Sequence, residues 1–278
     1  MTIATQSLPL TFHPFLRFLK TPKGLLLAML TAMTLIALLD QPFDDAAPAV
    51  LSAMAVAAIL DVGIIWMLRN EWEFPDGALL TGLIIGVILR PQEPSLVVVA
   101  VAAIAIISKH VLRTHWSNIF NPAALALVAS SFLFSTGQSW WGSMPTFGPL
   151  GLAILLAAGL LMADRINKLP LVLVFLGAYF ALFTVASFLE RPANVAEVFR
   201  TPDLQALLFF AFFMVDDPPT CPTRYQDQVS FGIIVAVASF AIFIYNGAVY
   251  FLPAGLLVAN AWESGRRQLH GPLRRLLA

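Results

Sequence analysis

Long apolar runs, interrupted at intervals by charge, proline or glycine, make up most of this chain. A hydrocarbon layer about 30 Å thick needs roughly 20 apolar residues to cross as a helix. The runs predict spans at 22–40, 47–68, 77–90, 94–112, 119–135, 148–164, 169–189, 204–216, 228–246 and 248–264. The last two are contiguous in hydropathy. As one helix, Gln228 to Trp262 would be roughly 52 Å long at 1.5 Å per residue, too long for one crossing. Asn246-Gly247 is a tight-turn dipeptide, and the run is divided there.

Charge gives these spans a direction. Of sixteen Lys and Arg, an N-in arrangement of ten spans leaves only Arg90, Arg191 and Arg200 in outer segments. The remaining thirteen, among them Arg17, Lys23, Lys109, Arg165, Lys168, Arg224 and Arg267, fall on the cytoplasmic side, as the positive-inside rule requires. Composition agrees: 59% of residues are hydrophobic and 12% charged, about half the usual charged share of a soluble domain. Net charge is zero, so nothing points to nucleic acid. The one cysteine, Cys221, allows no internal disulfide. Residues 1–24 resemble a signal-peptide lead, but no small-residue cleavage site follows, and they read as a cytoplasmic approach to the first helix. The expected organisation is an interfacial segment at 1–21, a five-helix unit at 22–135, an outside loop at 136–147, a second five-helix unit at 148–264 and a basic tail at 265–278. The expected fold class is thus all-α, a polytopic membrane protein with both ends in the cytoplasm of a bacterial inner membrane.

The two units share marks. Gly77–Arg90 and Leu204–Asp216 are both short, and both stop at prolines, Arg90-Pro91 and Asp217-Pro218-Pro219. Each is followed by a long span and then a helix opened by X-Pro-Ala, at Asn121-Pro122-Ala123 and Leu252-Pro253-Ala254. The proline separations are 31 residues in the first unit and 35 in the second. Five helices is an odd number, so the second copy runs inverted. Short, Pro-interrupted spans at matching positions point to a site in such folds. Asn121 is a good N-cap and Pro122 suits the first helical turn. That helix start turns free N–H groups inward, where an anionic or electron-rich group can be held. Ordinary capping accounts for it equally well.

The stretch Lys109-His110 through Asn118-Ile119-Phe120-Asn121-Pro122-Ala123 resembles the family of the Rnf D and Nqr B subunits, membrane subunits of bacterial flavin-containing redox complexes. In that family a G-K-x-x-F segment leads to N-x-F-N-P-A; here Ser108 stands where the glycine is usual. Pro75-Asp76-Gly77, Thr81-Gly82 and Arg90-Pro91 resemble its third helix. Phe212-Phe213-Met214-Val215-Asp216-Asp217-Pro218 resembles its F-F-x-A-T-D-P segment. The resemblance implies electron transfer beside other subunits, linked to sodium or proton movement. Many members also carry flavin mononucleotide on the threonine of an S-G-A-T motif after the fifth helix. That motif is absent; Ser143-Met144-Pro145-Thr146 has its length, which makes Thr146 the one acceptor to consider.

Single residues complete the expectation. Lys109, Asn121, Pro122, Asp216 and Asp217 are candidates for holding a flavin (FMN or riboflavin) or a quinone, non-covalently rather than through Thr146. The two acids beside prolines also suit a plain solvated loop. Asp61, Asp76 and Thr81 are candidates for an ion pathway. An intramembrane carboxylate is a functional candidate by default, yet Asp61 serves as well as a paired structural acid. His110 reads as interfacial, and Trp140 and Trp141 as members of an aromatic belt. Phe12–Phe18 suits an interfacial anchor, and Arg266, Arg267, Arg274 and Arg275 suit lipid headgroups or a partner subunit. The leading expectation is a membrane subunit of an Rnf/Nqr-like redox complex, in contact with lipid and further subunits. The alternative is a small-solute or ion transporter without a redox role. No phosphate loop or nucleophile–His–acid set marks a stand-alone enzyme.

Overall fold

A computed structural model describes residues 17–114, 117–189 and 197–276. Among these, ten α-helices of eleven residues or more follow one another: α1 Pro22–Ala37, α2 Phe43–Arg69, α3 Asp76–Ile88, α4 Ser95–Val111, α5 Pro122–Leu133, α6 Gly148–Arg165, α7 Leu169–Leu189, α8 Asp203–Phe213, α9 Tyr225–Asn246 and α10 Phe251–Leu276. No strand is present among the described residues. Four short 3-10 turns, including Trp141–Ser143 and Pro145–Phe147, lie in the connections.

Local chemistry explains the boundaries. Thr21 caps α1 by accepting the Gly24 N–H at 3.0 Å, with Pro22 in the first turn. Asp44 and Asp45 open α2 and Arg69 closes it, matching the helix dipole at both ends. Asn70 then takes a left-handed conformation (φ 55°) and donates its N–H to Trp66 O. Gly247 (φ 57°) does the same after α9, so Asn246-Gly247 is the turn that separates the last two helices. α2 and α9 begin four and three residues earlier than hydropathy alone suggests, because polar first turns belong to the helices they start.

Among the described residues, five segments, Pro22–Asp40, Phe43–Arg69, Trp141–Arg165, Leu169–Leu189 and Tyr225–Asn246, are long and apolar enough to cross a bilayer. Only 22–33% of each crossing window is buried inside the protein. Leu51, Ile59, Leu161, Leu173, Val185, Phe188 and Val237 are exposed on them. A water-soluble protein does not present so large an apolar girdle; the chain is a multi-pass membrane protein. α3, α4, α5 and α8 are apolar but shorter, and α3 and α8 are almost wholly enclosed by the others.

Small residues set the crossing of α2 and α3. α3 lies on α2 at Gly82 and Gly86, where an added Cβ would stand 2.6 Å from Ala53 O and 2.8 Å from Val50 Cα. Ala46, Ala49, Ala53 and Ala57 line the facing side of α2. Membrane helices lack a hydrophobic drive toward each other, and close backbone approach of this kind holds them. In the other half, aromatic rings do the packing. Tyr179 stacks on Phe183 at 4.3 Å, and Phe183 meets Phe240 and Phe243 at 5.1 and 5.2 Å.

Trp140 and Trp141 depart from the belt expected of them. Both are buried, Trp140 against Phe209 and Phe210 of α8, and Trp141 donating its indole N–H to Gly86 O of α3 at 3.1 Å. The connection between α5 and α6 thus folds back over the ends of the two short helices. It occupies depth that α3 and α8 leave unfilled.

Candidate functional site

α5 and α8 approach one another end to end. Asn121 accepts the Ala124 N–H at 3.0 Å and starts α5, while its own amide donates to Asp217 Oδ2 at 3.4 Å, beyond the end of α8. Asp217 also accepts from the Thr220 hydroxyl at 3.0 Å. The positive end of one helix dipole therefore meets the negative end of another across a polar seam. A cavity of about 180 Å³ opens at this seam. Its apolar walls include Leu26, Leu80, Ile84, Met162, Ile166 and Phe213, and its polar wall comprises Lys23, Thr81, Lys109, Asn118, Asn121, Asp216 and Asp217. The residues come from α1, α3, α4, α5, α6 and α8 and from the loops beside them.

Asp216 is the most exacting member. Its side chain is 4% exposed, and its Oδ2 has no hydrogen-bond partner among the described residues. A buried polar oxygen left unpaired is costly, so this one asks for a hydrogen-bond partner from whatever occupies the cavity. Asp217 is half-buried in the same apolar surroundings. Burial pushes its carboxyl up to about 6, opposed by the Thr220 hydroxyl and then by Lys23, Lys109 and Lys168. Cys221 is fully buried nearby, its thiol pushed up to about 12 by burial. Lys168, buried as well, donates its ammonium to Pro222 O.

Lys109 is held in the wall by Asp61. Asp61, 2% exposed within α2, accepts from Lys109 Nζ at 2.8 and 3.0 Å and lies 2.7 Å from His110 Nε2. The carboxylate is thus paired on both sides, with the His110 ring packed beside it. Asp76 stands at the start of α3, bonded to Lys23 Nζ at 3.1 Å and to its neighbour's Gly77 N–H. Thr81 donates to Gly77 O and lines the cavity one turn further in. Lys109, Asn121, Pro122, Asp216, Asp217 and Thr81 therefore share one cavity, with Asp61 and Asp76 one contact behind it.

Thr146 is elsewhere. It lies exposed at the opposite end of the bundle, on the rim of a shallow hollow with Arg90, Gln92, Ser139, Trp141 and Thr201. Among the described residues no group of three or more His, Cys, Asp or Glu gathers to hold a metal.

Sequence reasoning missed the supports on α10. Asn260, Glu263 and Arg267 occupy one face of that helix; Asn260 and Arg267 reach the loops beside the cavity, and Glu263 holds Arg267. The signal was present: polar residues at i, i+3 and i+7 at the end of an apolar helix mark one stripe. Arg266 and Arg267, expected on lipid headgroups or a partner subunit, hold the Glu263 carboxylate within the chain, and Arg266 also meets Asp227 at 2.9 Å. The side chains of Arg274 and Arg275, and nearly all of the Phe12–Phe18 segment, lie outside the described residues.

The sequence model of the NQR2, RnfD, RnfE family matches residues 146–264. No curated protein matches the chain. The matched stretch runs from the connection before α6 into α10 and contains Asp216 and Asp217.

Proposed function

We propose that this chain, which belongs to the NQR2, RnfD, RnfE family through residues 146–264, is the membrane subunit of an Rnf/Nqr-type redox complex and holds a flavin non-covalently in the cavity where α5 and α8 meet. The observation that carries this reading is the unpaired, buried Asp216 Oδ2 in a cavity walled by apolar side chains. A flavin ring brings an imide edge, an N–H donor flanked by carbonyl acceptors, and two flat apolar faces. A quinone brings only acceptors to its polar edge, so it pairs with Asp216 only as the neutral acid, whereas the imide edge pairs with either form.

When bound, a flavin supplies one- and two-electron transfer. The chain's own residues do the rest. Leu80, Ile84, Met162 and Phe213 exclude water from the ring faces, Asp216 and Asn118 set its orientation, and Lys109, neutralised by Asp61, offers a donor without a large net charge. Thr146 offers an exposed hydroxyl on a shallow hollow that, among the described residues, Arg90 lines as a cation, which supports the non-covalent reading.

The same proposal reads the ten helices as ten crossings in two inverted halves, with the basic end in the cytoplasm of a bacterial inner membrane. Matching contacts support it: α2 packs on α4 as α7 packs on α9, and α4 on α5 as α9 on α10. α3 and α8, the third helix of each half, are both short and enclosed, although α5 is as short and its counterpart α10 is long. Further subunits would supply and remove electrons, with sodium or proton movement coupled to that flow.

Purified chain with its native partners tests the reading. Acid extraction should release free flavin at near-stoichiometric yield, the intact mass should carry no addition, and Asp216→Asn should lower the flavin content. Added mass on Thr146 would replace the non-covalent site by a covalent one. Solute or cation flux through liposomes without an electron donor, from a chain lacking flavin, would favour a transporter instead.

A further inference from the structure

Two residues of α10 each reach both loops that frame the cavity mouth. Asn260, fully buried, accepts the Asn121 backbone N–H at 2.9 Å and donates to Thr220 O at 3.4 Å. Arg267 donates through Nη1 to Ser117 Oγ at 2.8 Å and Pro219 O at 3.1 Å, and through Nη2 to Cys221 O at 2.6 Å. Its Nε is bound by Glu263 Oε1 at 2.7 Å, and Arg266 takes the same carboxylate at 2.8 and 3.1 Å. Glu263 is itself 2% exposed, so its charge is fully committed to the two guanidinium groups.

These bonds are not ordinary helix packing. The loop carrying Ser117, Asn118 and Asn121 precedes α5, and the loop carrying Asp217, Pro219, Thr220 and Cys221 follows α8; about a hundred residues separate them in the chain. Directly, the loops share one long bond, Asn121 to Asp217. Everything else described between them runs through α10. Both loops line the cavity, through Asn118 and Asn121 on one side and Asp216 to Pro219 on the other. A planar guanidinium with its donors fixed in a fork suits such a multi-point bridge, and an ammonium does not reproduce it.

We infer that α10 is a clasp, in which Asn260 and Arg267 are positioning residues that fix the width of the cavity mouth by bonding the Ser117–Asn121 loop and the Asp217–Cys221 loop at once. Neither residue lines the cavity, so each acts through the loops. The role in flavin affinity rests on the flavin reading above; the clasp itself is geometric and can be tested apart from it.

The test uses the full chain in nanodiscs, with spin labels at Arg113→Cys and Thr223→Cys, exposed positions on the two loops. The buried Cys221 stays, and the unsubstituted chain reports any label it takes. Pulsed EPR should give one narrow distance. Arg267→Ala should broaden and lengthen it, and Arg267→Lys should fail to restore it. In parallel, riboflavin titrated against each chain should bind Arg267→Ala at least ~10-fold more weakly, the loss of charge-assisted bonds, while Tm moves by only a few degrees. An unchanged distance distribution in Arg267→Ala overturns the clasp. So does a lowered Tm with unchanged riboflavin affinity, which is what a merely structural arginine gives. If the unsubstituted chain binds no riboflavin, the flavin reading fails, and the distance measurement still decides the clasp.

Discussion

Asp61, Lys109 and His110 form a charge group inside a membrane protein, and its energetics follow from what each removal leaves behind. Lys109→Met leaves the carboxylate with only His110, and breaking a buried pair from one side costs about 3–5 kcal/mol. Asp61→Asn with Lys109→Met removes both charges and should recover most of that loss; thermal unfolding in detergent compares the three chains. Asp217 makes a second residue-scale prediction. Its carboxyl, ordinarily near 3.8, is raised to about 6, so the folded protein prefers the neutral acid. The stability this contributes is complete below the ordinary value and is lost as pH rises through 6. Infrared difference spectra should show a carboxyl C=O band titrating near pH 6, absent from Asp217→Asn, and that variant should lose the same window from its pH–stability curve. Which residues would gather was legible in the sequence, because the motif around Asn121 and the acids after α8 are both helix-end chemistry. That Asp61 binds Lys109 was not legible: a pair 48 residues apart depends on how α2 crosses α4, which no local pattern states.

At the scale of elements, the α2–α3 crossing is a close backbone approach that one side chain can break. Gly82→Val must push α3 away from Ala53 O, and overpacking of this kind costs about 1–3 kcal/mol. Gly63→Ala, where an added Cβ meets nothing within 4 Å, should leave the unfolding temperature unchanged or slightly raised. Asn121→Ala removes the cap of α5, worth about 1 kcal/mol, and also its bond to Asp217, so loss of ligand should exceed what the stability change alone predicts. Helix number and order could be read in advance because apolar run length is a direct consequence of the solvent. Helix starts could not be read to the residue, since Asp44 and Asp45, and Gln226 and Asp227, are polar yet helical. The role of the Trp140–Trp141 loop was hidden too. Tryptophan at the end of an apolar run has the same pattern whether it faces lipid headgroups or fills the space above a short helix.

For the whole molecule, the ten-crossing reading predicts that cysteines at Thr146 and Asn167 are labelled from opposite sides of the membrane by an impermeant reagent. Labelling of both from one side would break the inverted halves. The buried pair of α2 and α4 also has a consequence for how the chain is made. Asp61 leaves the ribosome 48 residues ahead of Lys109, roughly 2–10 s at ordinary rates of synthesis. Until Lys109 arrives, a carboxylate in the apolar layer has no counter-charge, at a cost of up to about 3 kcal/mol. α2 therefore gains by waiting in the insertion machinery until α4 is present, and the first helices enter the lipid as a group. A chain with Lys109 removed should lag at that stage, visible as α2 crosslinked longer to the translocon during synthesis.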